Sequence, residues 1–117
     1  MAKRILVVDD SSMMRKMIEK LLTNSGHTIV GEARNGIEAV ELYKQLNPDL
    51  VTMDITMRDM DGFTAAKEIL RHDDNARILF LSNLDSEKYG PDAERLGAVG
   101  YVNKRESMEI LELIERV

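Results

Sequence analysis

The chain has no cysteine among its 117 residues. Neither a disulfide nor a thiolate metal site can form. Positive charge is in deficit: 16 Lys and Arg stand against 21 Asp and Glu, for a net charge of −5. That balance argues against a general nucleic-acid surface. No apolar run is long enough to span a membrane, and there is no signal-peptide pattern. The expectation is a cytoplasmic protein with no membrane insertion and no direct nucleic-acid partner. Repeats, low-complexity segments and Gly/Ser/Pro linkers are all missing, so a single domain over residues 1–117 with one core is expected.

What the chain does have is a short apolar run that carries a carboxylate, Leu50-Val51-Thr52-Met53-Asp54-Ile55-Thr56-Met57. Leu, Val, Met and Ile without alternation suit a parallel strand covered on both faces. Asp54 lies near its C-terminal end. In open α/β sheets that end of the strands is where ligands bind. Alone, Asp54 is equally well a turn residue.

Four other segments read as strands, and the case for function comes from three of their ends. Ile5 to Val8 is an apolar strand ended by Asp9-Asp10. Ser11 or Ser12 can cap the following helix, with Met14, Met17, Ile18, Leu21 and Leu22 on its inner face, while Met13 faces solvent. Thr28 to Ala33 is a more polar strand, suited to a place near an edge. Asn35-Gly36 is turn chemistry, and Ile37 to Leu46 is helical until Asn47-Pro48. A third helix runs on Phe63, Ala66, Ile69 and Leu70. Arg77 to Ser82 is the fourth strand, and Gly97 to Val102 leads into and forms the fifth. The last helix spans Ser107 to Val117, with Met108, Leu111 and Ile114 inward. Gly90-Pro91 interrupts the fourth helical segment, so a loop is expected from about Asn83 and regular helix only from about Pro91. Five alternating strands and helices imply parallel strands joined by right-handed crossovers, with helices on both faces.

Polar residues then gather at one sheet edge: Asp9, Asp10, Asp54, Ser82, and Asn103-Lys104 after the fifth strand. Three crowded carboxylates call for a cation. Mg²⁺ takes few carboxylates together with water and a phosphate oxygen. Lys104 offers a point charge to phosphate, and Ser82 offers a hydroxyl. Asp54 can attack phosphorus and form an acyl phosphate. Each residue alone has an ordinary explanation: a solvated turn pair, a helix cap, a surface lysine. Together at successive strand ends they point to phosphoryl transfer.

The chain resembles the receiver domain of two-component response regulators over essentially its whole length. Val7-Val8-Asp9-Asp10-Ser11, Asp54 with Met57, Met60-Asp61-Gly62, Leu81-Ser82, Gly97-Ala98, and Tyr101 ahead of Lys104 carry the resemblance. It implies a flavodoxin-like (βα)5 three-layer sandwich with strand order 2-1-3-4-5, an order the doubly-wound fold is known for. It also implies Mg²⁺ on Asp10, Asp54 and the Thr56 backbone carbonyl, with Asp9 acting through water. Asp54 would take phosphate from a histidine kinase, and Ser82 and Tyr101 would form the switch pair. The protein would act as a monomeric switch rather than a turnover enzyme. It would change binding of a downstream protein through its α4-β5-α5 face. Asp10 to Arg15 and Met53 to Met57 resemble the chemotaxis type, which makes the flagellar motor switch a candidate target.

Three rival readings stand beside this one. A haloacid-dehalogenase-like phosphatase would need a second Asp where Thr56 stands. Dinucleotide binding would need glycines where Asp9-Asp10-Ser11-Ser12 stand. A phosphorylation-independent binding module is opposed by intact Asp54, Ser82 and Lys104. A receiver fragment of a larger response regulator would look the same as a stand-alone one. Arg58, Asn83 and Arg105-Glu106 depart from the usual residues of the family. Arg105 replaces a proline that commonly follows a cis bond. With a non-proline residue cis costs roughly 3–4 kcal/mol, so a trans Lys104–Arg105 bond is expected, with Lys104 farther from Asp54.

Overall fold

The computed structural model describes residues 2–116, the side chains of Ser86, Ser107 and Met108 excepted. Strands and helices alternate: β1 Arg4–Val8, α1 Ser12–Asn24, β2 Thr28–Ala33, α2 Gly36–Leu46, β3 Leu50–Met53, α3 Gly62–His72, β4 Ile78–Ser82, α4 Ser86–Leu96, β5 Gly100–Asn103 and α5 Ser107–Arg116. The sheet is five-stranded with order β2-β1-β3-β4-β5, and every neighbouring pair is parallel. This is the flavodoxin-like three-layer arrangement expected from the sequence.

Strand alternation explains why the runs are apolar throughout. Leu6, Val8, Val51, Met53, Ile78 and Phe80 face one core, which α2, α3 and α4 cover with Ala39, Tyr43, Ala65, Ala66, Ile69 and Ala93. Ile5, Val7, Leu50, Leu79, Leu81 and Val102 face the other, which α1 and α5 cover with Ile18, Leu22, Ile110 and Ile114. Successive side chains point to opposite faces, and both faces are buried. The edge strand β2 is the exception, with Thr28 and Glu32 exposed. None of the described helices is long and apolar enough to cross a membrane.

Caps fix where the helices begin. Ser11, Asn35, Asp61 and Asp85 each accept a backbone N–H from the first turn, those of Met14, Glu38, Thr64 and Glu87. Each satisfies a donor that the helix itself leaves without a partner. Asn35-Gly36, read as a turn, is thus a cap and the first helical residue.

Three expectations need correction. α4 starts at Ser86, well before Pro91, which lies inside it. Asp85 starts the helix, and Gly90 lacks the Cβ that would clash ahead of a proline. The carbonyl left without a donor is that of Glu87, an exposed residue within reach of water. On α1, Met17 is 59% exposed rather than inward. Ile18 and Leu22 hold the core, and one residue earlier is a turn of about 100° around a helix, which sends Met17 outward beside Met13. On α5 the inward pair is Ile110 and Ile114, with Leu111 half-buried; the Met108 side chain and Val117 lie outside the described residues.

Candidate functional site

The four strand ends converge. Asp9 follows β1, is buried, and its backbone N–H donates to the Ala33 carbonyl of β2 at 3.0 Å. Its Oδ1 accepts the N–H of Ser11 at 2.9 Å. Oδ2 is buried, and its partner is the Lys104 ammonium at 2.6 Å. Asp10, the next residue, is exposed.

Asp54 follows β3, and its N–H extends the ladder to Val8 of β1 at 3.0 Å. Oδ1 accepts the N–H of Ile55 at 2.9 Å, and Oδ2 lies 3.4 Å from Lys104 Nζ. Burial pushes the carboxyl pKa up to about 6. Lys104 opposes that rise, and the Asp9 charge adds to it. Close packing behind the residue keeps it there. Gly62 donates its N–H to Ile55 O at 2.8 Å, and a Cβ on Gly62 would stand 2.0 Å from the Asp54 carbonyl oxygen.

Ser82 ends β4, is buried, and its Oγ accepts the N–H of Leu84 at 3.1 Å. Lys104 follows β5, and its N–H donates to the Ser82 carbonyl at 3.0 Å. These groups, with Thr56 and Asn83, line one cleft of about 340 Å³. Tyr101 on β5 is half-buried against the core, and its hydroxyl donates to the Leu84 carbonyl at 2.9 Å. The ring is therefore already packed inward.

The Lys104–Arg105 bond is trans, as are all peptide bonds among the described residues. The extra N–H that Arg105 brings is taken up by Asn103 Oδ1 at 3.0 Å. The expectation that Lys104 would sit back from the site was wrong. Two buried carboxylates attract its ammonium strongly enough to hold it between them.

Asp9, Asp10 and Asp54 offer oxygen atoms within 4.8 Å of one another. All-oxygen donors, two of them buried carboxylates that share a single ammonium, fit a hard cation such as Mg²⁺. Sequence reasoning found these carboxylates, Ser82, Tyr101 and Lys104. It missed Leu84, which acts only through its backbone and so has no residue-type signal. It also missed Arg15, whose Nη1 donates to the Asp9 carbonyl at 2.7 Å.

A doubly wound parallel sheet with an aspartate triad, a hydroxyl and a lysine at its carboxyl edge defines an aspartyl phosphoacceptor. The chain belongs to the response regulator receiver domain family, which matches residues 5–116. It is 47% identical over 117 residues to the chemotaxis protein CheY of Bacillus subtilis (strain 168), covering 99% of this chain and 98% of that protein. It is 46% identical over 104 residues to CheY of Thermotoga maritima, covering 89% and 87%. Among solved structures it is similar to that of the CheX-CheY-BeF3-Mg complex from Borrelia burgdorferi. The TM-score is 0.92 and the identity 35%, over 97% of this chain and 87% of that one. The chain is a CheY-like receiver: a Mg²⁺-dependent switch phosphorylated on aspartate, with a histidine kinase as phosphodonor, and not an enzyme that turns over a separate substrate. The dehalogenase-like and dinucleotide-binding readings fall away.

Proposed function

We propose that Asp54 is the phosphoacceptor, and that the whole chain, residues 1–117, works as one receiver unit. The observation that carries this is the placement of Asp54 in one cleft with Asp9, Asp10, Ser82 and Lys104. Asp54 Oδ2 attacks phosphorus, the P–N bond to the kinase histidine breaks, and the imidazole leaves with the electron pair. Asp10, Asp54 and the Thr56 backbone carbonyl would hold Mg²⁺, with Asp9 acting through water. The metal supplies charge for the phosphoryl oxygens. Lys104 and the Ser82 hydroxyl bind the remaining oxygens.

Ser82 and Tyr101 form the switch pair: their hydroxyls are within hydrogen-bonding range of each other, and Leu84 bonds both. The Ser82 hydroxyl accepts from Leu84, and Tyr101 donates to Leu84. A phosphoryl group that draws Ser82 toward it pulls on this loop, and Tyr101 feels the change. The readout is the α4-β5-α5 face, where a cleft of about 280 Å³ between α4 and β5 is lined by Gly90, Ala93, Ala98 and Tyr101. The resemblance to CheY proteins makes a flagellar motor switch component the first target to test. A phosphodonor kinase charged from ATP would be cytoplasmic, which supports a cytoplasmic location for this chain.

The test is labelling with radioactive acetyl phosphate, with and without Mg²⁺. Mg²⁺-dependent label on the native chain, absent from Asp54→Asn, is the expected result. Equal label on Asp54→Asn would overturn the assignment. A native chain that never labels but still binds its target would favour the phosphorylation-independent module.

A further inference from the structure

Arg15 reaches from α1 to the aspartate pocket without entering it. Its side chain is 12% exposed, and its fork makes two bonds in different directions. Nη1 donates to the Asp9 carbonyl at 2.7 Å, and Nε donates to Glu32 Oε1 at 2.9 Å. Glu32 belongs to β2, where it pairs with Val7, two residues before Asp9. The guanidinium thus ties the β1–α1 turn, which presents Asp9 and Asp10, to the edge strand. A planar fork can make both bonds at once; an ammonium is a point charge and cannot reproduce them.

Behind Glu32 stands Glu19 of α1. Its Oε2 is buried and meets no donor among the described residues. The group beside it is the Glu32 carboxylate, at hydrogen-bonding range. Two carboxylates in such contact repel unless one carries a proton. A proton on Glu19 gives an O–H that donates to Glu32, and Glu32 keeps its charge for Arg15.

We propose that Arg15 is a positioning residue for the aspartate pocket, held by Glu32 and by a proton that Glu32 shares with Glu19. The proposal rests on the assignment of Asp9, Asp10 and Asp54 as the Mg²⁺ and phosphoryl site. Arg15 touches neither metal nor phosphate. It acts through the Asp9 main chain.

The charges around the pair favour this division. Burial and the neighbouring Glu32 together raise the Glu19 pKa to about 7, against Arg15 and Lys16 on the same helix. The Arg15 and Glu19 hydrogen bonds hold Glu32 below the usual carboxylate range. Across a cleft of about 440 Å³, Arg34, Glu38 and Glu41 face the same side, and Arg34 is already bound to Glu38 at 3.0 Å. When Glu19 ionises, Arg15 is a cation on its own helix that it can attract. A guanidinium drawn to Glu19 lets go of the Asp9 carbonyl. Mg²⁺ binding and labelling then fall on the alkaline side.

The test measures Mg²⁺ affinity by calorimetry and acetyl phosphate labelling, from about pH 5 to about pH 9, on the native chain, Glu19→Gln and Arg15→Lys. The native profile should rise as Asp54 ionises and fall about fivefold above neutrality, the order of one hydrogen bond. Glu19→Gln carries a permanent N–H donor to Glu32, so its profile should rise and stay level. Arg15→Lys should bind Mg²⁺ about fivefold more weakly than the native chain below neutrality, and match it on the alkaline side, while melting as a folded chain. The Glu19 carboxyl ¹³C resonance should titrate near neutrality. Superposable native and Glu19→Gln profiles, native affinity in Arg15→Lys below neutrality, or a Glu19 resonance that titrates as an ordinary carboxylate would each overturn the proposal. A native chain that neither binds Mg²⁺ nor labels would overturn the site assignment itself, a result the Glu19 resonance would not share.

Discussion

The Lys104 ammonium stands 2.6 Å from Asp9 Oδ2, nearer than its 3.4 Å from Asp54 Oδ2. It neutralises part of the same carboxylate charge that draws Mg²⁺. On the proposed site, lysine and metal would therefore compete for the Asp9 charge while cooperating on phosphate. Lys104→Met should bind Mg²⁺ about tenfold more tightly and label more slowly with acetyl phosphate. Calorimetry and labelling on the same sample separate the two effects, and a loss of Mg²⁺ affinity would contradict the competition.

Asp54 titrates near 6 in the fold because burial disfavours its charge. Its folded pKa lies above its unfolded value of 3.8, so the native state holds the proton more tightly. Stability from this group is fully present below the unfolded pKa and is lost as pH rises through 6. Asp54→Asn removes that loss. In the presence of a chelator, urea unfolding should show the variant gaining on the native chain as pH rises, by about 2 kcal/mol at neutrality. Saturating Mg²⁺ should shrink the gap, because a bound cation favours the carboxylate.

Gly62 is fixed by contact rather than by backbone angle. A Cβ there would stand 2.0 Å from the Asp54 carbonyl oxygen. Gly62→Ala should destabilise the fold by about 3 kcal/mol and, by displacing Asp54, reduce labelling as well. Gly26 has a positive φ of 92° and nothing within 4 Å of a Cβ, so Gly26→Ala should cost stability through strain alone and leave labelling unchanged.

Tyr101→Phe removes the hydroxyl that reaches the Leu84 carbonyl. The direct cost should be about 1 kcal/mol in chemical unfolding. The larger effect should appear in hydrogen exchange between Asn83 and Leu96. Protection there should change on adding a beryllofluoride phosphate mimic to the native chain, and change less in the variant. Identical protection with and without the mimic would count against the switch.

The carboxylate cluster was legible because each member directly follows or closes an apolar run, and parallel strands bring such ends together. Ser82 and Lys104 were legible for the same reason. Periodicity misjudged Met17, because Ile18 and Leu22, with Leu21 beside them, fill the α1 side of the core and turn Met17 outward. Pro91 misled because the preceding Gly90 and the exposed Glu87 carbonyl make an interior proline tolerable. Lys104 was placed too far away when its neighbouring residue, rather than its two buried counter-charges, was allowed to decide. Glu19 and Glu32 meet only because β2 packs beside α1, which no local pattern encodes.

The cleft has unlike walls. On one side the loop after Asp54 is bound by backbone bonds at both ends, Gly62 N–H to Ile55 O at 2.8 Å and Gly36 N–H to Met60 O at 2.9 Å. On the other side, Leu84 is tied to the Ser82 hydroxyl and the Tyr101 hydroxyl, both side-chain groups. Ser82 is the one the phosphoryl oxygens would recruit. The site is built like a vice with one fixed jaw: new charge on Asp54 finds no give toward α2 and is relieved only toward α4 and β5. On the proposed switch, the direction of signalling would follow from which hydrogen bonds are main chain and which are not.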